Sequence, residues 1–307
     1  MACKSCKTKP VIALPNSNIK LCKGCFLKYF EKKAYKTISK YKLLEKQDSQ
    51  VAVGVSGGKD SFSLLYLMDK LAEKKRVMKI KVIAIDEGIK GYRDLSNVKR
   101  YCKKNDIELH IYSFKEEFGM TLDEMVKKTN LKPCSICGVL RRFLLNSKAR
   151  GLGAKKLATG HNLDDEAQSI LMNQFRGNIE RSARLGPLTG IVTDQRFVRR
   201  IKPLYFLTEK EVTAYCFLRK FPVKHHECPY ASLSYRAQVR DLLNDFTAKH
   251  RQTKHAIVNS FLDILPLLKE KYAKVEIKGC RNCGEPCSGE VCKVCDFLEK
   301  LKVITSK

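Results

Sequence analysis

Eight of the chain's 14 cysteines fall into two quartets of the kind that holds a metal ion. Cys3-x-x-Cys6 and Cys22-x-x-Cys25 are separated by 15 residues, and Cys280-x-x-Cys283 and Cys292-x-x-Cys295 by 8. Paired knuckles of two thiolates build the closed tetrahedral shell of a structural Zn²⁺ site, which leaves no open position for catalysis. Cys287 is a surplus thiol inside the second quartet's loop and could compete as a ligand. Lys20, Lys23, Lys278, Arg281 and Lys293 decorate the two modules, so phosphate contact is a natural second duty.

Cys134, Cys137 and Cys228 are of another kind. Cys134-Ser-Ile-Cys137 stands at the start of a basic helix carrying Arg141 and Arg142, where dipole and charge both favour thiolates. Cys228 lies in the irregular stretch His225-His-Glu-Cys-Pro-Tyr230. Three thiolates can hold an iron–sulfur cluster and leave one iron without a protein ligand, free to carry sulfide. A redox pair, a third zinc and inert buried thiols remain open on the residues alone. Cys102 and Cys216 fall on helical segments and read as small core residues.

The second chemical feature is Ser56-Gly57-Gly58-Lys59-Asp60-Ser61, directly after the buried run Val51–Val55 and before a helical pattern. A strand, a Gly-rich turn and a helix gather backbone N–H groups around an anion with the helix dipole behind them. Gly57 and Gly58 allow close approach, Ser56 and Ser61 add hydroxyls, and Lys59 adds a point charge. The spacing is not Gly-x-x-x-x-Gly-Lys-Ser/Thr, so this is not the Walker loop.

The elements that position these groups alternate. Strands are expected at 51–55, 80–86, 107–113 and 156–159, and helices at 62–74, 94–105, 121–129, 134–150 and from 164. Strands alternating with helices mean an α/β fold with a parallel sheet and helices on both faces, and ligands bind beyond the carboxyl ends of its strands. Ser56–Ser61 and Gly160–Asp165 both lie at such ends. The stripe Tyr29, Phe30, Ile38, Tyr41, Leu44 predicts a basic helix over 29–46; Thr208–Glu211 is a capping box opening a helix to about 220, and 237–274 is helical. Five units follow: a zinc finger at 1–28, a basic helical linker at 29–50, an α/β domain carrying the phosphate loop at 51–220, a Cys228-bearing loop and helical extension at 221–274, and a second zinc finger at 275–307.

Sixty basic against 32 acidic residues give a formal charge of +28, spread along the chain rather than held in a tail. Such a surface captures polyanions, which points to nucleic acid as a partner. No signal segment opens the sequence and no apolar run approaches the roughly 20 residues of a membrane span. A cytoplasmic protein is expected, in a compartment where 14 cysteines mean metal or redox chemistry rather than disulfides.

In order along the chain stand SGGKDS at 56–61, DEGIKGYR at 86–93, PCSICGVLRR at 133–142, ATGHNLDDEA at 158–167, MNQFRG at 172–177 and HHECPY at 225–230, flanked by the cysteine quartets. The hexapeptide resembles the loop of the PP-loop ATP pyrophosphatases, and the whole chain is similar to the tRNA 2-thiouridine synthetases of archaea, eukaryotic cytosol and thermophilic bacteria. The resemblance implies a PP-loop fold and an ATP-dependent tRNA sulfurtransferase that adenylates a uridine and replaces its 2-oxygen with sulfur. It implies ATP and pyrophosphate contacts from Ser56 to Ser61, with Mg²⁺ near Asp60, and from Asp86, Gly160 and His161. Cys134, Cys137 and Cys228 match the ligands of a 4Fe-4S cluster, and Asp165 an acidic residue beside the target base. Arg141 stands where the thermophilic bacterial branch has a catalytic Lys; Arg keeps the charge but does not titrate near neutrality, which favours an electrostatic role. Arg142, Arg176, Arg181, Arg184, Arg199 and Arg200 are expected on the tRNA track. CGVLRR and MNQFRG are closer to the wobble-uridine branch than to the T-loop branch. Sulfur is expected from a ubiquitin-like carrier protein or free sulfide, and the terminal modules could support a homodimer. An amine-installing PP-loop enzyme and a zinc-ribbon RNA-binding scaffold are the competing readings; the first needs no cysteine trio and the second makes no AMP.

Overall fold

A computed structural model describes residues 2–14, 17–75, 77–191, 194–223, 227–274 and 277–301. His225 and His226 of the HHECPY segment lie outside the described residues, as do 275, 276 and 302–307 of the expected last module.

The chain opens with the antiparallel pair β1 (Ile12–Leu14) and β2 (Ile19–Leu21), then helix α1 (Lys23–Lys40). Helix α1 starts inside the first cysteine module, so the boundary expected near 28 falls within a helix, and it stops short of 46. Next come β3 (Gln50–Val55), α2 (Lys59–Lys74), β4 (Lys79–Asp86), α3 (Ser96–Lys104), β5 (Glu108–Ser113), α4 (Phe114–Phe118), α5 (Leu122–Lys128) and α6 (Pro133–Gly151). Then follow β6 (Lys156–Ala158), α7 (Leu163–Phe175), α8 (Ile179–Ala183), β7 (Arg199–Ile201), α9 (Glu209–Leu218), α10 (Tyr235–Lys249) and α11 (Thr253–Lys271). The last elements are β8 (Lys278–Gly279), β9 (Pro286–Cys287) and α12 (Lys293–Lys300). Capping boxes open α5 at Thr121–Glu124, α7 at Asn162–Asp165 and α9 at Thr208–Glu211.

Five strands form one parallel sheet in the order β5-β4-β3-β6-β7. The chain leaves β3 toward β4 on one side and returns to β6 on the other, so the order switches between β3 and β6. Alternation along each strand feeds two cores. Val51, Val53, Val55, Ile80 and Val82 face a core shared with α2, while Ala52, Ile83, Ile85 and Leu157 face α6. Phe62, Leu64, Leu65 and Leu67 of α2 are fully buried, each stabilising by about 1.5–3 kcal/mol.

The two cysteine modules dock on opposite faces. From the first, Phe30 of α1 stacks on Tyr215 of α9 with ring centroids 3.9 Å apart, and the Tyr29 hydroxyl donates to Glu211 Oε1 at 2.7 Å. From the second, Val294 and Leu298 of α12 join the core beneath α6, and Arg150 at the end of α6 donates to Glu285. A third cluster binds α7 to α10 and α11 through Leu163, Ile170, Val239, Leu243, Val258 and Phe261. No described helix is long and apolar enough to cross a membrane.

Candidate active site

Helix α2 begins at Lys59, earlier than its apolar stripe suggests, so Lys59 and Asp60 lie in its first turn. Its N-cap, Gly58, has no side chain to cap with, which leaves the first N–H groups open to an anion. Ser61 fastens the loop: its Oγ accepts from Ser56 N at 3.1 Å and donates to Gly58 O at 3.0 Å. Gly57 holds φ +80°, and a Cβ there would stand 3.0 Å from Asp94 O. Between this loop and residues 92–97 lies a cavity of about 60 Å³ lined by Ser56, Gly57, Gly58, Tyr92, Arg93, Asp94 and Asn97. Lys59 Nζ bridges Asp60 and Glu209, each at 3.0 Å; burial works against its charge, but the two carboxylates outweigh it and hold the ammonium on.

The end of β6 comes against the same loop. A Cβ on Gly160 would lie 2.9 Å from the Asp60 carbonyl carbon and 3.0 Å from Ser61 N, so only glycine fits. Asn162 caps α7, accepting from Asp164 N and Asp165 N at 2.9 and 3.1 Å, and its amide donates to Asp60 Oδ1 at 2.9 Å. Asp165 Oδ2 accepts from Asn162 N at 3.1 Å, and Arg236 reaches from α10 to Asp165 O, Gln168 and Ser169. A cavity of about 220 Å³ lies here, lined by Lys59, Asp60, Asn162, Asp165, Glu209 and Arg236 among others. Desolvation at its wall pushes the Asp165 carboxyl up to about 6; Arg236 pulls it down and Asp60 adds to the rise. His161 is exposed and immediately precedes Asn162 of the cavity wall. Desolvation, then Lys202, Arg200, Arg236 and Arg141, hold it well below the usual imidazole range, so it is neutral at pH 7. Its Nδ1 pairs with Thr159 Oγ1 at 2.9 Å.

Asp86, expected at the nucleotide, accepts Gly88 N at 2.9 Å and shapes the turn after β4; its neighbour Glu87 is the residue wired into the site. The Glu87 side chain, 1% exposed, takes Arg93 in a fork and also accepts from Arg141 Nη1 at 3.3 Å. Arg93 in turn donates to Ser56 O at 2.7 Å, and its guanidinium lies 4.9 Å from the Tyr92 ring centroid. Arg141 acts electrostatically on Cys137, and Cys228 acts on Tyr92, Cys134 and Cys137. A chain of hydrogen bonds thus runs from the Ser56 loop through Arg93 and Glu87 to Arg141, whose charge acts on Cys137 one helical turn before it.

Burial works against the thiolates expected at Cys134 and Cys137. Burial pushes Cys137 up to about 11 and raises Cys134, and Arg141 only partly offsets it; the apolar floor beneath the first turn of α6 outweighs the dipole. Cys137 and Cys228 pack against the same apolar cluster, and Cys134 Sγ lies 3.7 Å from Tyr230 O. Among the described residues, the cysteine groups whose sulfurs all lie within 4.8 Å of one another are the two quartets. The trio is therefore spaced more widely than the ligands of a single ion, and three soft donors over an apolar floor fit a multi-iron group.

Both quartets are built as the spacing predicts. Cys6 and Cys22 sulfurs stand 3.4 Å apart, and those of Cys283 and Cys292 3.7 Å. A hydrogen bond with Thr8, then Cys25 N, brings Cys22 down to about 6; burial opposes the same change at Cys280, but the N–H groups of Cys292, Asn282 and Cys283 prevail, also near 6. A thiol of each quartet is thus acidified while its neighbours Cys25, Cys283 and Cys295 are raised, and the four sulfurs of each gather as a metal-binding site does. Cys287 stands outside the second quartet, its thiol donating to Gly289 O at 2.9 Å. Cys102 and Cys216 are buried core residues.

The arginines divide. Burial, then Arg200, Arg141 and Arg181, bring Arg142 down to about 10, so these four form one cationic patch beside the trio. Arg176 stacks on Tyr235 at 4.0 Å, and Arg184 pairs with Glu180. Arg199 and Arg200 do not act together: alternation along β7 turns Arg199 toward Lys269 and Glu45. Sequence reasoning did not single out Glu87, Arg93, Asn162, Glu209 or Arg236. Glu87 and Arg93 lay inside a quoted motif, and the Asn162–Asp165 spacing is a capping signal. Arg236 offered no local sign.

Residues 28–245 match the model of the PP-loop domain family. The chain is 37% identical to the tRNA-5-methyluridine(54) 2-sulfurtransferase of Pyrococcus horikoshii, over 100% of this chain and 96% of that one. It is 37% identical to the cytoplasmic tRNA 2-thiolation protein 1 of Dictyostelium discoideum, over 97% and 83%. Among solved structures, the U34-tRNA thiolase of Methanococcus maripaludis, determined with its 4Fe-4S cluster, superposes with a TM-score of 0.84 at 34% identity, covering 98% of this chain and 96% of that one. The chain belongs to the PP-loop family, in its branch of tRNA 2-thiolation proteins and tRNA 2-sulfurtransferases.

Proposed function

We propose that this chain is an ATP-dependent tRNA 2-sulfurtransferase acting on the wobble uridine. The observation that carries the reading is the chain of contacts from Ser56 O through Arg93 and Glu87 to Arg141 beside Cys137. The nucleotide loop and the arginine beside Cys137 therefore belong to one network, which supports a shared reaction site.

Uracil O2 is a poor leaving group. Attack of O2 on the α-phosphate of ATP releases pyrophosphate and leaves C2 bearing AMP. A sulfide-level nucleophile then forms the C2–S bond, and the C2–O bond breaks as AMP departs with the former O2. The open N–H groups at Gly58–Lys59 and the Lys59 ammonium stabilise the charge growing on the pyrophosphate, and Asp60 would hold Mg²⁺, which would add charge neutralisation there. Gly160 lets β6 close against that loop, and neutral His161 contacts nucleotide or backbone rather than moving protons. Cys134, Cys137 and Cys228 would hold a 4Fe-4S cluster, which when bound supplies a site for sulfur. Arg141 steadies the adenylate; Asp165, titrating at about 6, orients the base or takes its proton. The quartets hold zinc, and Arg142, Arg181 and Arg200 lead the tRNA path with Arg176 and Arg184. The relatives named cytoplasmic support a cytoplasmic setting, with a ubiquitin-like carrier or free sulfide as donor.

The test is anaerobic reaction of the purified, iron-loaded protein with ATP, sulfide and bulk tRNA, followed by nucleoside mass spectrometry of tRNA fragments. Sulfur at position 34 with one AMP per thiolation is expected. Sulfur at position 54 overturns the wobble assignment, AMP without sulfur favours an amine-installing enzyme, and absence of AMP leaves an RNA-binding scaffold.

A further inference from the structure

Glu87 is the most deeply buried carboxylate of the site, and it faces two guanidiniums that come from different elements. Arg93 grips it in a fork, with Nε to Oε2 at 3.0 Å and Nη2 to Oε1 at 2.5 Å, while Arg141 Nη1 reaches Oε1 at 3.3 Å. The Arg93 side chain is 6% exposed and Arg141 44%. One partner is thus locked inside the protein and the other is the solvent-facing end of the wire. Arg93 spends a remaining donor on Ser56 O at 2.7 Å, so the nucleotide loop and the carboxylate share one rigid planar group. The backbone on either side of Glu87 is fixed as well: Gly88 N is tied to Asp86, and Glu87 O accepts Leu122 N at 2.8 Å. A Cβ on Gly88, at φ +67°, would meet the Thr121 side chain at 2.6 Å, which pins this turn against the start of α5.

We propose that Glu87 is a positioning residue that sets Arg141 relative to the nucleotide loop. Long arginine side chains have many rotamers, and an unpaired Arg141 at the mouth of the pocket would sample most of them. A buried acceptor with both oxygens already oriented by Arg93 removes that freedom and places the guanidinium between the loop and Cys137. A fixed guanidinium binds planar, multiply charged groups in one pose, which a freely moving one does not. The inference rests on the sulfurtransferase reading, in which Arg141 meets the adenylate.

A double-mutant cycle on the iron-loaded protein tests it, with Glu87→Gln, Arg141→Gln and the double variant assayed for tRNA thiolation. Glu87→Gln keeps the shape and loses the charge that holds Arg141. Each single variant is expected to lose on the order of 10²-fold in kcat, the scale of an ångström-sized misplacement, with KM for ATP within about threefold. The double variant is expected to lose no more than the worse single one, because Glu87 acts through Arg141. Multiplied losses overturn the proposal, as does a Glu87→Gln variant with wild-type kcat. Equilibrium binding of ATP to the iron-free protein gives a readout without turnover. Affinity within about threefold of wild type in Glu87→Gln is expected, since Arg93 keeps Ser56 O; a collapse of affinity means that Glu87 only builds the loop. Should Glu87→Gln fail to fold, Glu87→Asp keeps the buried charge that pairs Arg93 but withdraws the carboxylate from Arg141, and replaces it in the cycle with the same non-multiplicative outcome expected. If wild-type protein itself does not thiolate tRNA, the function fails first, and the binding arm still reports on Glu87.

Discussion

Gly160→Ala is the smallest change that separates the end of β6 from the nucleotide loop. The added methyl would sit 2.9 Å from the Asp60 carbonyl carbon, 3.0 Å from Ser61 N and 3.1 Å from Asp60 O. All three are backbone atoms in the first turn of α2, so no flexible side chain can swing away. Carbon–carbon contacts settle at about 3.5–4.0 Å, so the strand end and helix start must part by roughly 0.6 Å or more. Overpacking of this kind costs about 1–3 kcal/mol in stability. Activity suffers more, because the 2.9 Å bond from Asn162 to Asp60 spans the widened gap and the Lys59–Asp60 turn moves with it. A shift approaching 1 Å at a phosphate cradle is worth up to about 10²-fold in rate. Urea denaturation and AMP release with saturating ATP and tRNA measure the two effects. A variant with wild-type midpoint and wild-type AMP release would refute the view that β6 and the loop are held at van der Waals limit.

The Asp165 carboxyl, raised to about 6, predicts a thiolation rate that climbs through pH 6 and is flat above it, and Asp165→Asn removes the step. Because this group's folded value lies above its ordinary 3.8, its protonated form favours the fold: that contribution is complete below about pH 3.8 and lost as pH rises through 6. Asp165→Asn therefore flattens the stability–pH curve between those limits in thermal melts. Lys202 and Glu166 form an ion pair at 2.7 Å with side chains 6% and 1% exposed; Lys202→Met strands the carboxylate and is expected to cost about 3–5 kcal/mol by urea denaturation. Cys287→Ser is expected to leave bound metal at the quartets unchanged by elemental analysis, whereas Cys280→Ser lowers it by one ion per chain and lowers the melting temperature, because Cys280 is part of the core beneath α6.

Most of the sheet was legible because its strands carry uninterrupted apolar runs bounded by turn residues, as in Val51–Val55 before Ser-Gly-Gly. The fifth strand was not: Arg199-Arg200-Ile201 shows two charges and a single apolar residue, and its pairing with β6 exists only in the folded sheet. Helix α4 escaped because five residues span too little of the 3.6-residue period to register. In the site, cysteines announced themselves by spacing, since metal ligation fixes it. Thiol acidity did not follow from position, because Ile136, Leu140 and the rest of an apolar floor come from across the fold. Arg236 is contributed by a helix some 70 residues after Asp165, so its grip on α7 is invisible to any local pattern.

Helix α6 carries Cys134, Cys137 and Arg141 near one end and is braced at the other by Glu285 and the second cysteine module. On a ribosome the helix emerges about 130 residues before that brace, an interval on the order of ten seconds at ordinary elongation rates. Early in that interval the helix has neither Cys228 nor its anchor, and Cys228 arrives before Glu285 does. The second cysteine module is thus the last brace to reach α6, a keystone set after the rest of the scaffold has been made.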